Sequence, residues 1–228
     1  MFGSEHPSVA GSHLNIGAVY YSQGRYEEAL VQYQKSLDIQ IKVVGHDHID
    51  TARTYNGMGN VYNSQGHYER ALEYYQKDLD IKIKVVGHDH IDTASTYMGI
   101  ANVYHSQGHY ERALEYYQQS LDIKIKVVGH DHIDTASTYN NMGSVYFSQG
   151  HYERALEYWQ KSLDIKIKVV GHDHIDVADT KANIGLVYKK TGRKSEAKPL
   201  FTEAAKIHRN KLGPDHPRTR QSEGLAAQ

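Results

Sequence analysis

The sequence predicts an all-α protein, a right-handed α-solenoid of five helix-turn-helix units and a partial sixth helix. Two observations lead there. The string Gly-His-Asp-His-Ile-Asp begins at Gly45, Gly87, Gly129 and Gly171, so the chain repeats itself every 42 residues. Within each repeat, apolar residues recur at helical spacing and glycines fall at fixed places. The units starting at Gly45 and Gly87 agree at 35 of 42 positions. Degenerate copies of the link stand at Gly3-Ser4-Glu5-His6-Pro7 and Gly213-Pro214-Asp215-His216-Pro217. One array over residues 1–228 follows, with units at 3–44, 45–86, 87–128, 129–170 and 171–212 and a capping segment at 213–228.

The unit at Gly129 shows the elements in order. Asp131 is the expected N-cap, with Asp134 three residues on as an acidic capping-box partner. Ile133, Ala136, Tyr139, Met142 and Tyr146 then trace a helical stripe. Gly150 ends that helix, because glycine tolerates the left-handed conformation of a C-terminal stop. A second helix starts near Tyr152 and aligns Leu156, Trp159, Leu163, Ile167 and Val170. Gly171 ends it, after Lys166 and Lys168, whose charge suits the negative helix end. Ile165-Lys166-Ile167-Lys168-Val169-Val170 alternates like a strand. It is nonetheless read as helix, since it continues a capped helical pattern and a lone strand would leave an open edge. Neither helix can bury its stripe alone, so successive hairpins must stack, lining one concave face with the first helices.

Composition narrows the function. The net charge of -1 gives no bulk attraction to nucleic acid or anionic membrane, and no basic stripe runs along the units. No run of 18 apolar residues is present, so no membrane span is expected. Cysteine is absent, which excludes disulfides and thiolate chemistry; without a signal-peptide core at the start, a cytoplasmic location is expected. Phosphate-loop, zinc-protease and serine-hydrolase motifs are missing, and acid–histidine pairs recur in every unit where catalysis needs one unique set. The chain is therefore read as no enzyme. Its 16 histidines include His-x-His pairs such as His130 and His132, but links one layer apart cannot converge on a metal. No cofactor is expected.

Tyr139, Met142, Gly143, Tyr146, Gly150, Tyr152, Ala155 and Trp159 resemble the tetratricopeptide repeat signature. Tyr55, Met58, Gly59, Tyr62, Gly66, Tyr68, Ala71 and Tyr75 do so one repeat before the unit at Gly87, where Ile100 and Ala101 replace Met and Gly. The long unit, with Leu212-Gly213-Pro214-Asp215-His216-Pro217, is similar to the kinesin light chain type and to nephrocystin-3-like arrays. That resemblance implies an adaptor holding a peptide segment in a concave groove, with asparagines of the first helix as contacts. Tyr139-Asn140-Asn141-Met142-Gly143 matches best; Asn15 and Asn183 match the second asparagine and Asn56 the first, while Gly57 and Gly99 depart from the pattern.

Differences among near-identical units mark the same face. Arg53, Ser95 and Ser137 are equivalent, as are Asn56, Met98 and Asn140, and Asn63, His105 and Phe147. The variable positions lie on the first helix, whereas His-Tyr-Glu-Arg-Ala-Leu-Glu-Tyr stays unchanged on the second. The expected peptide-binding residues are Asn15, Tyr21, Arg53, Asn56, Asn60, Asn63, Met98, Asn102, His105, Asn140, Asn141, Ser144, Phe147, Asn183 and Lys190. Amides suit the backbone of an extended peptide. Lys181, Lys189, Lys190, Arg193 and Lys194 point to acidic ligand residues near the C-terminal unit. The expected partner is a protein or peptide, with no nucleic acid and no membrane, and the chain a monomer or weakly self-associating. Alternatives are a self-associating structural module or an accessory arm of a larger signalling protein or enzyme. The start inside a link suggests a segment of a longer array, and a sixth first-helix from His216, weakened by Gly224, is expected to cover the last pair.

Overall fold

The computed structural model describes residues 6–227. Among them the chain forms eleven helices and no strand. The helices pair in hairpins: α1 (Pro7–Ser22) with α2 (Tyr26–Val43), α3 (Ile49–Ser64) with α4 (Tyr68–Val85), and α5 (Ile91–Ser106) with α6 (Tyr110–Val128). Then come α7 (Ile133–Ser148) with α8 (Tyr152–Val170), α9 (Ile175–Lys190) with α10 (Lys194–Leu212), and the single α11 (Pro217–Ala226). The chain divides into two compact units at Ile123 and Lys124, inside α6. The Ile165–Val170 segment is helical, as expected: the adjacent residues Ile165 and Lys166 are both buried, which a strand's alternation would forbid, and packing overrides the β-branched propensity.

Each hairpin turn is a Schellman stop. After α7, Gly150 takes φ 77°. The His151 N–H bonds the Tyr146 carbonyl at 2.8 Å and the Gly150 N–H bonds that of Phe147 at 3.0 Å, satisfying two otherwise orphaned carbonyls. The helix starts differ from the expectation. Asp131 is not the N-cap of α7; His132 is, its Nδ1 accepting the Asp134 backbone N–H at 3.1 Å. The same device starts α3, α5, α9 and α11 at His48, His90, His174 and His216. Imidazole nitrogen reaches the N2 amide two residues ahead as a capping aspartate would, which frees Asp131 to form an ion pair with Lys168 at the end of α8. Asp47 pairs likewise with Lys84.

Within a hairpin, one large aromatic from the second helix packs on a small residue of the first. Trp159 is 2% exposed, and a Cβ added at Gly143 would lie 2.6 Å from its ring. The glycine is what permits this approach. Burying such an aromatic contributes about 1.5–3 kcal/mol. In the N-terminal unit Tyr33, pushed up to about 12 by burial, and Tyr75 hold the same place.

Between hairpins, a buried polar cluster repeats with graded chemistry. Ser36 donates to the Ala10 carbonyl at 2.8 Å while Thr54 donates to Gln40 at 2.7 Å. One repeat later, Asp78 Oδ2 accepts from Lys82 at 2.9 Å, Thr96 at 2.6 Å and Asn56 at 2.7 Å. In the C-terminal unit, Lys166, only 6% exposed, donates to Thr180 at 2.8 Å and forms no ion pair, and the nearby Ser162 hydroxyl is unbonded. Burial pulls the Lys166 and Lys124 ammonium groups below the ordinary lysine range, and it pushes the Asp78 carboxyl up despite its partners.

Candidate functional site

The expected binding residues stand on the first helices of both units, but their side chains do not share one state. In the N-terminal unit most amides are already engaged. Asn56 donates to Asp78, and Asn60 donates to Asn56 at 3.3 Å while accepting the Tyr75 hydroxyl at 2.6 Å. Asn102 accepts the Tyr117 hydroxyl. These amides couple the helices of a hairpin, leaving little free hydrogen-bonding capacity. Arg53 pairs with Asp50 at 3.1 Å, and the Tyr21 hydroxyl meets Ser64 at 3.1 Å. Met98 and Asn63 are half-buried, and the Asn63 Oδ1 is buried without a partner. His105 packs 6.0 Å from Tyr110, and burial lowers its pKa. Asn15 is exposed and unbonded.

The C-terminal unit is more open. Here the Asn140 carbonyl accepts from the Trp159 indole at 2.9 Å and from Ser144 at 3.1 Å, which leaves its side-chain amide free. Asn141 and Asn183 are half-buried and their amides form no hydrogen bond. Phe147 packs 5.6 Å from both Tyr152 and Trp159. Asn140 and Asn183 line one cleft of about 320 Å³ with Asp179, His208 and Arg218. Both asparagines were legible in the sequence; the charged wall opposite was not.

That wall is a hydrogen-bonded chain. His208 Nδ1 lies 2.9 Å from the Ser222 hydroxyl and its Nε2 lies 3.1 Å from Asp179, which Arg218 also meets at 3.0 Å. Serine, histidine and aspartate in this order resemble a hydrolase relay. Position argues otherwise. Residue 208 is 42 past Lys166 and residue 222 is 42 past Thr180, so the trio is the last member of the buried series that joins hairpins. Ser222 is 3% exposed at the wall of the cleft, buried as the hydroxyls of the earlier junctions are. Comparing residues one repeat apart is the signal that would have found the trio in the sequence.

The basic group also divides. Lys181 pairs with Glu203 at 2.5 Å, and Arg193 pairs with Glu196 at 2.5 Å while lying over the Tyr188 ring. Lys190 is exposed and forms no ion pair. Lys189 and Lys194 join Lys198, absent from the sequence-based set, around a pocket of about 80 Å³ floored by Phe201 and Leu225. Among the described residues no cluster of histidine and carboxylate could hold a metal, and no helix is long and apolar enough to cross a membrane.

Helix hairpins joined through repeated links, each with an aromatic seated on a small residue, define a repeat protein of the helix-hairpin class. The Tetratricopeptide repeat family model matches residues 8–84, 72–126, 92–167 and 134–210, and the chain belongs to that family. Comparison with curated protein sequences gives no match. Among solved structures, BtubC (BKLC) from P. vanneervenii is similar, at TM-score 0.77 and 22% identity, covering 92% of this chain and 84% of that one. The nearly identical repeats of a putative kinesin light chain from Podospora anserina give TM-score 0.71 at 20% identity, over 90% and 97%. The Rap conjugation gene regulator of plasmid pLS20, in complex with the Phr* peptide, gives 0.77 at 18%, over 93% of this chain and 56% of that one. At these identities the likeness establishes the fold.

Proposed function

We propose that the chain is a non-catalytic scaffold of the cytoplasm that holds a peptide segment of a partner protein against its first-helix face, as a kinesin light chain-like adaptor. One observation carries the reading. In the C-terminal unit the Asn140 and Asn183 amides, unused by the chain itself, line one cleft of about 320 Å³. A solved relative that holds the Phr* peptide supports the same use of the fold. Lys190, Lys194 and Lys198 favour acidic residues at the C-terminal end of the ligand. Selection from a peptide library on the purified chain, beside an Asn140→Ala, Asn141→Ala, Asn183→Ala variant of equal helicity, tests this. Enriched peptides should lose binding to the variant; equal retention by both proteins would defeat the assignment. Salt should weaken the selected peptides.

A second reading has its own observation. Ile16 and Val19 on α1 are 42% and 53% exposed, whereas their equivalents Met58 and Val61 are 3% and 0% exposed. This apolar face favours weak self-association, which light scattering over a hundredfold concentration range would detect as rising mass.

A further inference from the structure

The third hairpin keeps an aromatic cradle but lacks the cation that other hairpins place in it. In the second hairpin Tyr55 and Tyr74 lie 6.0 Å apart, and the Lys77 ammonium sits 5.6 Å and 5.0 Å from their ring centres. In the fourth, Tyr139 and Tyr158 lie 6.0 Å apart, with the Lys161 ammonium at 5.9 Å and 5.1 Å. Lys161 also pairs with Glu157 at 2.6 Å. The outer hairpins satisfy this place by other means. His13 and Gln32 hydrogen bond at 2.7 Å in the first, and Lys181 pairs with Glu203 at 2.5 Å in the fifth.

In the third hairpin, Tyr97 and Tyr116 lie 6.1 Å apart, so the cradle has kept its dimensions. The residue in the lysine position is the exposed, neutral Gln119. Glu115, equivalent to Glu157, is exposed and forms no ion pair. Arg112 does not fill the gap, because it lies over Tyr104 at 5.5 Å just as Arg70 lies over Tyr62 in the second hairpin. His88 bonds the Tyr97 hydroxyl at 2.9 Å, and its tilted ring is centred 5.6 Å from the Tyr97 ring.

We infer that Tyr97, Tyr116 and Glu115 form a receptor for a lysine ammonium supplied by a partner polypeptide. Two ring faces attract a cation through their quadrupoles, and a carboxylate beside them adds a charge-assisted hydrogen bond. The arrangement is pre-organised, since the two rings hold their spacing without a lysine between them, and little ordering is left for the ligand to impose. The site lies wholly within the N-terminal unit and is independent of the amide face proposed above.

A blocked tripeptide with one central lysine, titrated into the full chain, tests this through the NMR ring signals of Tyr97 and Tyr116. Saturable shifts are expected, and they should vanish when that lysine is acetylated. Gln119→Lys, which supplies the cation internally, should weaken binding about fivefold or more, the factor equivalent to ~1 kcal/mol. Lys161→Gln should open a second site, read as new shifts at Tyr139 and Tyr158. Wild-type signals that stay unmoved, shifts that survive acetylation, or equal binding by Gln119→Lys would each overturn the inference. So would a Lys161→Gln protein that gains no site.

Discussion

Two lysines at the same repeat position should respond to the same substitution with opposite signs. Lys82 and Lys166 are both buried, at 4% and 6% exposure. Lys82→Met strips the Asp78 carboxylate, which is 0% exposed, of the cation paired with it, leaving hydrogen bonds from Thr96 and Asn56. An uncompensated buried charge of this kind costs about 3–5 kcal/mol. Lys166→Met removes an ammonium that faces no carboxylate in an ion pair and makes one hydrogen bond, to Thr180. Thr180 still donates to the Asp176 carbonyl at 2.8 Å, so no new polar orphan is created. That change should be neutral or stabilise by about 1 kcal/mol. Urea midpoints at pH 7 with unchanged slopes provide the comparison. Destabilisation of similar size in both variants would refute the reasoning.

The alkaline limb adds a second check on the same lysines. The folded state holds the Lys166 proton less tightly than the unfolded chain, so stability rises as pH climbs from the depressed folded value towards 10.5. Tyrosines act oppositely. Tyr33 and Tyr158, whose hydroxyl pKa values burial pushes up to about 12, favour the folded state in full below the ordinary value of 10.0, and that contribution is lost progressively as pH rises from 10.0 through about 12. Stability should therefore rise into the mildly alkaline range and fall above pH 10, and Lys166→Met should flatten the rise.

Other outcomes follow from the packing and the caps. Gly143→Ala should cost about 1–3 kcal/mol in thermal or chemical unfolding, because its methyl would drive into Trp159, which the Asn140 carbonyl holds in place. Tyr75→Phe should cost about 1 kcal/mol and loosen Asn60, visible as broadened amide side-chain NMR signals. His132→Ala should lose about 1 kcal/mol with the α7 cap, and His132→Asn should recover most of it.

Much of the fold was legible because its signal is redundant. The glycines at 150 and 171 stop their helices where the spacing placed them, and Trp159 and Gly143 meet as the family signature implies. The capping residue was misread because aspartate is the stronger statistical capper; only the geometry shows that His132 points its nitrogen at the N2 amide. The proposed binding face was half legible. Spacing put Asn60 and Asn183 on equivalent helices, but it carried no information about the Tyr75 hydroxyl that occupies one amide while the other stays open. The buried polar series escaped notice because a lysine in a helical stripe looks exposed until its neighbours are placed.

The hydroxyl that closes each hairpin junction has a consequence for folding. Thr54, Thr96 and Thr180 stand at interchangeable places on nearly interchangeable helices, so a second helix meets an acceptable neighbour on several first helices. Concentrated refolding should then divert a fraction of chains into domain-swapped species, whose helices dock on another molecule in correct local geometry. The graded clusters limit this exchange, since α4 carries its buried Asp78–Lys82 pair with it, and docked on α5 in place of α3 the carboxylate would face Met98 where Asn56 now donates. Small changes of side chain inside the junctions thus act as addresses, telling copies of one hairpin which neighbour to accept.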